Sequence, residues 1–106
     1  MLTSFKLRDD ITIDEFQSAL NVLSAQLIDA GMLNSTGPIG RRQRHPVMDT
    51  EERDHEFYFI MSFDDRAQCD RSVEHIYSLG AHDDPAHVAT YNKISDAVFV
   101  CWEDIE

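Results

Sequence analysis

The sequence predicts an α+β protein with a ferredoxin-like fold, in which a four-stranded antiparallel sheet carries its helices on one face. Segments with strand and helix periodicity follow one another in the order βαββαβ, which is the order of the ferredoxin-like unit. The segment His55–Asp64 (HEFYFIMSFD) is apolar on both faces, which is typical of a strand covered on both sides. The chain has 106 residues, the length of one domain, and we assign residues 1–106 to that domain.

The first half of the unit is a strand followed by a capped helix. Met1–Arg8 alternates between apolar and polar residues and predicts the first strand. Thr12 and Glu15 form the capping-box pattern, which satisfies the first free N–H groups of a helix. Apolar residues then recur at helical spacing and predict a stripe that packs on the sheet: Phe16, Leu20, Leu23 and Leu27. Gly31 is expected to end this helix.

The segment Leu33–Pro46 is irregular because its glycines and prolines break any periodicity, although a strand is expected from about Ile39 to His45. The segment holds the basic cluster of the chain, which consists of Arg41, Arg42 and Arg44. Alternation places the second and third of these arginines together, opposite the first. We expect them to pair with nearby carboxylates, and an anionic ligand is the alternative.

The central strand separates its side chains into two sets. One face carries His55, Phe57, Phe59, Met61 and Phe63, and the other carries Tyr58, Ile60 and Ser62. Because one chain of this length supplies helices for only one face of the sheet, we expect a second copy to cover the other. The predicted assembly is a homodimeric α/β barrel, with these candidates on the shared face: Tyr58, Ile60, Val98, Val100 and Trp102.

The second half of the unit contains two helices and the last strand. Asp65 is expected to cap the second helix, and Gly80 is expected to end it. The apolar side of this helix consists of Cys69, Val73, Ile76 and Tyr77. Asp84 is expected to cap a short helix that runs from Pro85 to about Asn92. Ala97–Trp102 is apolar on both faces and predicts the last strand.

Composition argues against several classes of partner. Twenty acidic residues against nine basic ones give a formal net charge of −11, which argues against binding to nucleic acid or to an anionic membrane surface. There is no signal peptide and no apolar run long enough to span a bilayer, so a cytoplasmic location is expected. Cys69 and Cys101 are expected to be buried free thiols, which suits a reducing compartment.

Two histidines are the candidate catalytic residues. His87 begins the third helix and His55 begins the central strand, both at the rim of the expected space between sheet and helices. Imidazole suits general acid–base work because its unperturbed pKa lies near neutrality, and a hydrogen-bonded structural role is the alternative for each. His82 and His87 flank Asp83 and Asp84, but this spacing crosses a helix start and no third ligand follows. We therefore expect no metal at these residues.

Three segments carry a resemblance to a known family. They are the opening FKLRDDIT with its capped helix, the strand from Asp54-His55 to Phe63-Asp64, and Asp84-Pro85-Ala86-His87-Val88, which looks like a His-Pro-x-His-Val segment. In these segments the chain resembles the stress-responsive A/B barrel (Dabb-like) proteins of the dimeric α/β barrel superfamily. The resemblance implies a homodimer of ferredoxin-like protomers. Some members are polyketide cyclases that need no cofactor, and in them the histidine that His87 matches is the general base.

Two functions remain open at the level of sequence. The first is the binding of a small apolar or aromatic molecule between sheet and helices, with these ligand-binding residues: Phe16, Phe57, Phe59 and Tyr91. The alternative is a cofactor-independent enzyme of polyketide-cyclase or monooxygenase type with His87 as general base. The family's assisting tyrosine falls at about Ala81 and its first-strand histidine at about Met1, so that set is incomplete here and the binding function is preferred.

Overall fold

The computed structural model of the chain describes residues 1–79 and 84–105 and has the predicted ferredoxin-like fold. The strands are β1 (Leu2–Leu7), β2 (Ser35–Thr36), β3 (Gly40–Arg41), β4 (Phe57–Ser62) and β5 (Ile94–Val100). The helices are α1 (Ile13–Asp29), α2 (Arg66–Leu79) and α3 (Pro85–Tyr91). The antiparallel sheet has the order β5–β1–β4, and both β2 and β3 pair with the far edge of β4. The predicted fold class is confirmed, with β2 and β3 sharing the position of one strand.

The outer strand of the sheet is divided because its middle cannot keep regular pairing. The backbone N–H of Gly37 donates to the Ile60 carbonyl at 2.8 Å, and the N–H of Arg42 donates to the Glu56 carbonyl at 2.8 Å. Between these two bonds lies Pro38, which has no N–H to donate. The strand expected from Ile39 to His45 is therefore shorter, and its regular part ends at Arg41.

Helix α1 begins and ends as its sequence predicts. The Thr12 hydroxyl accepts a hydrogen bond from the Glu15 N–H at 3.2 Å, and the Glu15 carboxylate accepts one from the Thr12 N–H at 3.1 Å. Gly31 follows the last turn with φ 72°, a left-handed conformation that glycine adopts without steric cost. Both termini of the helix are thus fixed by local sequence.

Aromatic side chains fill the space between α1 and the sheet. Phe5, Phe16 and Phe59 are each fully buried. The ring centroids of Phe5 and Phe16 are 4.7 Å apart, and those of Phe16 and Phe59 are 5.9 Å apart. Each such side chain contributes about 1.5–3 kcal/mol through burial, and each aromatic contact adds about 0.5–1.5 kcal/mol. This cluster is the centre of the core.

Strand β5 starts earlier than the sequence predicts and contains a bulge. Ser4 lies opposite Val98, and Lys6 lies opposite Ser95. Between these two pairs β5 therefore contains one residue more than β1. The extra residue is accommodated at Asp96, whose φ is 53°. Aspartate tolerates this left-handed conformation better than most residues do, which allows the bulge to form.

Helix α2 packs on the rest of the protein through polar residues. The prediction that its apolar side is buried is wrong for Val73 and Tyr77, which are 41% and 79% exposed. Instead the Gln68 amide donates to the Gly31 carbonyl at 3.2 Å, and the Ser72 hydroxyl donates to the Met32 carbonyl. Carbonyls that follow a helix end lack intrahelical donors, and α2 supplies them. The Asp65 cap is present, whereas the expected end at Gly80 lies outside the described residues.

The two cysteines are free thiols, and they differ in exposure. Cys69 is half-buried, and its pKa is raised by that burial and by the neighbouring Cys101. The expectation that Cys101 is buried is wrong, because β5 ends one residue before it and the chain leaves the sheet there.

The sheet face opposite α1 and α3 carries apolar side chains in contact with solvent. Tyr58 and Ile60 are each 40% exposed, Val100 is 39% exposed, and Trp102 beyond the end of β5 is 78% exposed. We call this surface, together with Val98, the open sheet face. None of the helices within the described residues combines the length and the apolar character needed to cross a membrane.

Candidate functional site

Helix α3 brings His87 and Tyr91 together. The Asp84 carboxylate accepts hydrogen bonds from the N–H groups of Ala86 at 3.1 Å and His87 at 3.4 Å, which fixes the start of the helix. His87 and Tyr91 are one turn apart, and their ring centroids are 4.5 Å apart. The Tyr91 ring in turn lies 6.2 Å from that of Phe99 on β5, so the three rings form a row.

The two polar side chains of this row have different surroundings. Burial raises the pKa of Tyr91 to about 12, so its phenol keeps its proton throughout the physiological range. Within residues 1–79 and 84–105 the His87 imidazole makes no hydrogen bond with another side chain or carbonyl. The row therefore offers a neutral phenol and an imidazole with no protein partner in that part of the chain.

Thr3 is the polar residue that the fold buries beside this row. It lies on β1 opposite Phe59 on one neighbouring strand and opposite Phe99 on the other, and it is fully buried. Its hydroxyl has no hydrogen-bond partner among the described residues. The buried hydroxyl of Thr90 on α3, by contrast, donates to the carbonyls of Ala86 at 2.8 Å and Ala19 at 3.2 Å. Buried polar groups are normally paired, so the Thr3 hydroxyl needs an explanation.

Sequence reasoning missed Thr3 and Phe99 as site residues. One signal was available for Thr3, because the alternation of β1 places it on the same face as Phe5. A hydroxyl on a strand face that is otherwise apolar is unusual. Phe99 had no comparable signal, since its contact with Tyr91 depends on where α3 lies.

His55 holds the bulge of β5. The residue is 6% exposed, and its Nε2 lies 2.7 Å from the Asp96 carbonyl oxygen and 3.2 Å from the Asp96 carboxylate. Nε2 is the donor, because both partners are oxygens that accept. This geometry supports the hydrogen-bonded structural role that was the alternative for His55.

The aromatic residues expected to bind a ligand occupy different positions. Phe16 and Phe59 are fully buried in the core and contact each other and Phe5. Phe57 is half-buried at the edge of the core, where the Arg41 guanidinium lies 5.5 Å from its ring centroid. Tyr91 belongs to the row formed with His87 and Phe99. Of these four residues, Tyr91 lies beside His87. The other three, Phe16, Phe57 and Phe59, lie beside Phe5.

The arginine cluster is largely neutralised by carboxylates, as the sequence predicts. Arg42 binds the Asp49 carboxylate with both Nε and Nη2, at 2.7 and 2.5 Å, and donates to the carbonyls of Arg53 and His55. The guanidinium holds the pKa of Asp49 well below its usual range. Arg44 pairs with Glu56 at 2.6 Å. Arg42, which precedes the 43–55 segment, therefore contacts both the middle of that segment, at Asp49, and its end, at Arg53 and His55.

Within the described part of the chain, no three metal-ligating side chains converge on a common point. His82 and Asp83, whose residue types could bind a metal together with His87, lie outside the described residues.

A solved structure shares the fold of this chain over almost its whole length. No protein-family model matches the chain, and no curated protein sequence matches it. The crystal structure of At3g17210 from Arabidopsis thaliana is similar with a TM-score of 0.68 at 9% identity, covering 99% of this chain and 93% of that one. A dimeric protein of unknown function and ferredoxin-like fold from Bacteroides fragilis has a TM-score of 0.49 at 16% identity, with coverages of 97% and 92%. At 9% identity, the likeness to the Arabidopsis protein shows a shared fold.

Proposed function

We propose that this protein binds a small, largely apolar or aromatic molecule that carries a hydrogen-bonding oxygen, between α3 and the sheet. The observation that carries the proposal is the buried Thr3 hydroxyl without a partner, beside the row of His87, Tyr91 and Phe99. Leaving a buried hydroxyl unpaired costs about 1–3 kcal/mol. A ligand oxygen at Thr3 would remove that cost, and the surrounding rings supply an apolar setting for the rest of the ligand.

The walls of this site follow from the positions of the rings. Phe59 and Phe99 flank Thr3 on the neighbouring strands and would contact the faces of an aromatic ligand. Phe99 is 51% exposed, so the site reaches solvent at β5. Because Thr3 itself is fully buried, a ligand enters as α3 moves away from the sheet. Tyr91, whose phenol stays protonated, would be a donor to the ligand oxygen.

The test uses 2-naphthol and naphthalene, which differ only in the hydroxyl, with Thr3→Val as the key variant. Valine has nearly the shape of threonine but no hydroxyl, so it removes the unpaired group without opening a cavity. We expect calorimetry to show that the wild type binds 2-naphthol roughly tenfold more tightly than naphthalene, since one buried hydrogen bond is worth about 1 kcal/mol. Thr3→Val should bind both probes equally.

Thr90→Val is the matched control, because the Thr90 hydroxyl is already paired with two carbonyls. Without any ligand, Thr3→Val should leave the free energy of unfolding unchanged or raise it by about 1 kcal/mol, whereas Thr90→Val should lower it by about the same amount. Absence of 2-naphthol binding at millimolar concentration, or equal discrimination by Thr3→Val and the wild type, would refute the proposal.

A second candidate function is general-base catalysis by His87 on an enolisable carbonyl compound. Its support is the His87 imidazole, which has no hydrogen-bond partner in the described residues, and the resemblance to the stress-responsive A/B barrel family. His87 would remove an α-proton, leaving an enolate that regains a proton from solvent. Deuterium incorporation into 1-phenylbutane-1,3-dione in heavy water, followed by NMR, measures this step.

For that reaction we expect His87→Ala to reduce exchange to the uncatalysed rate. His75→Ala is the control, because it removes an imidazole from a different helix, α2. Exchange that is equally fast in both variants would exclude His87 as the base, and exchange no faster than in buffer would exclude the activity.

We also propose that two copies associate through the open sheet face to form a homodimeric α/β barrel. The support is the set of large apolar side chains that solvent reaches there, on strands whose other face is covered by α1 and α3. Contiguous exposed apolar side chains favour association, because burying them removes apolar surface from water. The family that the sequence resembles is dimeric, and the expected assembly is of that kind.

A further inference from the structure

We propose that a groove beside β3 binds a small aromatic carboxylate. The groove encloses about 530 Å³ between β3, β4 and the chain segment from Thr50 to Arg53. A volume of this size is in the range of small-molecule sites. The groove lies at the β3 edge of the sheet, whereas Phe99 and Tyr91 belong to the opposite edge, so this proposal is independent of the one above.

The charge of the groove is opposite to that of the chain. The formal net charge of the protein is −11, yet the groove is lined by three arginines against one carboxylate, that of Glu52. The carboxylate of Asp49 neutralises Arg42. Arg41 and Arg53 form no ion pair with any described residue. Two uncompensated guanidiniums on one groove favour an anionic ligand.

The position of Arg41 favours a carboxylate on an aromatic ring. Its guanidinium lies 5.5 Å from the Phe57 ring centroid, which holds the planar group and leaves N–H donors at its edge free. Such an edge matches the two oxygens of a carboxylate. Phe57 and Tyr58 are among the residues that line the groove, as are Thr50 and Ser4, whose side chains carry hydroxyl groups. The lining thus provides cations for the carboxylate and rings for an aromatic body.

The test compares naphthalene-1-carboxylate with neutral 1-naphthalenemethanol on the full chain at low ionic strength. We expect calorimetry to show that the carboxylate binds roughly tenfold more tightly than the alcohol, because charge-assisted hydrogen bonds are about twice as strong as neutral ones. Arg41→Gln and Arg53→Gln should each weaken carboxylate binding by roughly tenfold and leave alcohol binding unchanged.

Arg71→Gln is the matched control, because it removes the same charge from an exposed position on α2, outside the groove. It should bind the carboxylate as the wild type does. Thr3→Val should also retain carboxylate binding, which separates this groove from the site beside α3. If Arg41→Gln does not fold, Arg41→Lys, which keeps the charge but cannot form the paired contact, replaces it with the same expected weakening.

Each of the following results would overturn the proposal. One is carboxylate binding by Arg41→Gln and Arg53→Gln that equals that of the wild type. Another is an equal loss in Arg71→Gln, which would mean that only overall charge matters. The third is an alcohol that binds as tightly as the carboxylate, or no carboxylate binding at millimolar concentration.

Discussion

At the residue scale, Gly40 lies against the Tyr58 ring, which leaves no space for a side chain at position 40. It pairs with Tyr58 across the sheet, and the Tyr58 ring covers its Cα so closely that an added Cβ would overlap the ring. We expect Gly40→Ala to lower the free energy of unfolding by about 1–3 kcal/mol, as overpacking typically does, in urea titrations.

Gly37→Ala is the control for this substitution. An added Cβ there meets only the Ile60 carbonyl oxygen, at an ordinary 3.7 Å. Its effect should be within about 0.5 kcal/mol. Tyr58→Ala removes the ring with which the added Cβ would clash. Gly40→Ala should therefore lower the free energy of unfolding less in a Tyr58→Ala protein than in the wild type. Equal effects of the two glycine substitutions would contradict the predicted role of the ring.

The Arg42–Asp49 pair makes stability depend on pH in a defined direction. The pKa of Asp49 is held below its ordinary value, mainly by hydrogen bonds from Arg42, and that of Asp54 is lowered mainly by Lys6. A carboxyl with a depressed pKa in the fold stabilises the protein above its unfolded pKa, near 4, and this contribution is lost as pH falls through the folded pKa. The chain should therefore lose stability steadily below about pH 4.

Asp49→Asn tests the assignment of this loss. The variant should be less stable than the wild type at pH 7, and the difference should shrink as pH falls below about 4, because the wild type loses the same ion pair by protonation. Urea midpoints between pH 2 and 7 measure both. Asp104→Asn, at an exposed position beyond β5, should follow the wild-type curve. Parallel curves for Asp49→Asn and the wild type would show that Asp49 is not responsible.

At the element scale, α1 is the helix whose formation depends most on its own sequence. Both halves of the Thr12–Glu15 capping box are formed. Thr12→Ala should cost about 0.5–2 kcal/mol of unfolding free energy, because the Glu15 N–H loses its acceptor, the Thr12 hydroxyl. Ser18→Ala, at an exposed position inside the same helix, should be neutral or slightly stabilising, since alanine is the better helix former. A Thr12→Ala protein as stable as Ser18→Ala would disprove the contribution of the cap.

The elements also differ in how far their own sequence determines them. Helix α1 and strand β4 show clear periodicity, and the predicted faces of both agree with burial. The packing of α2 was predicted wrongly because it depends on the carbonyls after α1, which Gln68 and Ser72 reach only in the folded chain. The start of β5 was misplaced because the bulge at Asp96 interrupts the alternation from which a strand is recognised.

At the scale of the whole molecule, the proposed dimer is tested by substitutions on the open sheet face. Ile60→Asp and Val100→Asp place a charge at the centre of the proposed interface, where desolvation would oppose association. Light scattering at about 100 µM should give twice the 12.2 kDa chain mass for the wild type and the mass of one chain for both variants.

Val22→Asp is the control for the dimer, because Val22 is 55% exposed on α1, away from the open sheet face. It should remain dimeric. A monomeric wild type at this concentration would remove the proposal, and a monomeric Val22→Asp would show that association uses another surface.

The sequence by itself determined the fold class, the two ends of α1, the cap of α3 and the alternation of β4. These features depend on residues within about four positions of each other or on strand periodicity, and such local constraints are readable from one chain. The closeness of His87 and Tyr91 also follows from the sequence, because one helical turn separates them. Tertiary structure alone decided the rest of the candidate site. The unpaired hydroxyl of Thr3, the contact of Phe99 with Tyr91 and the use of His55 on Asp96 each join residues far apart in sequence. Which distant group satisfies a buried polar atom depends on strand register and helix position, and neither is fixed until the core has formed.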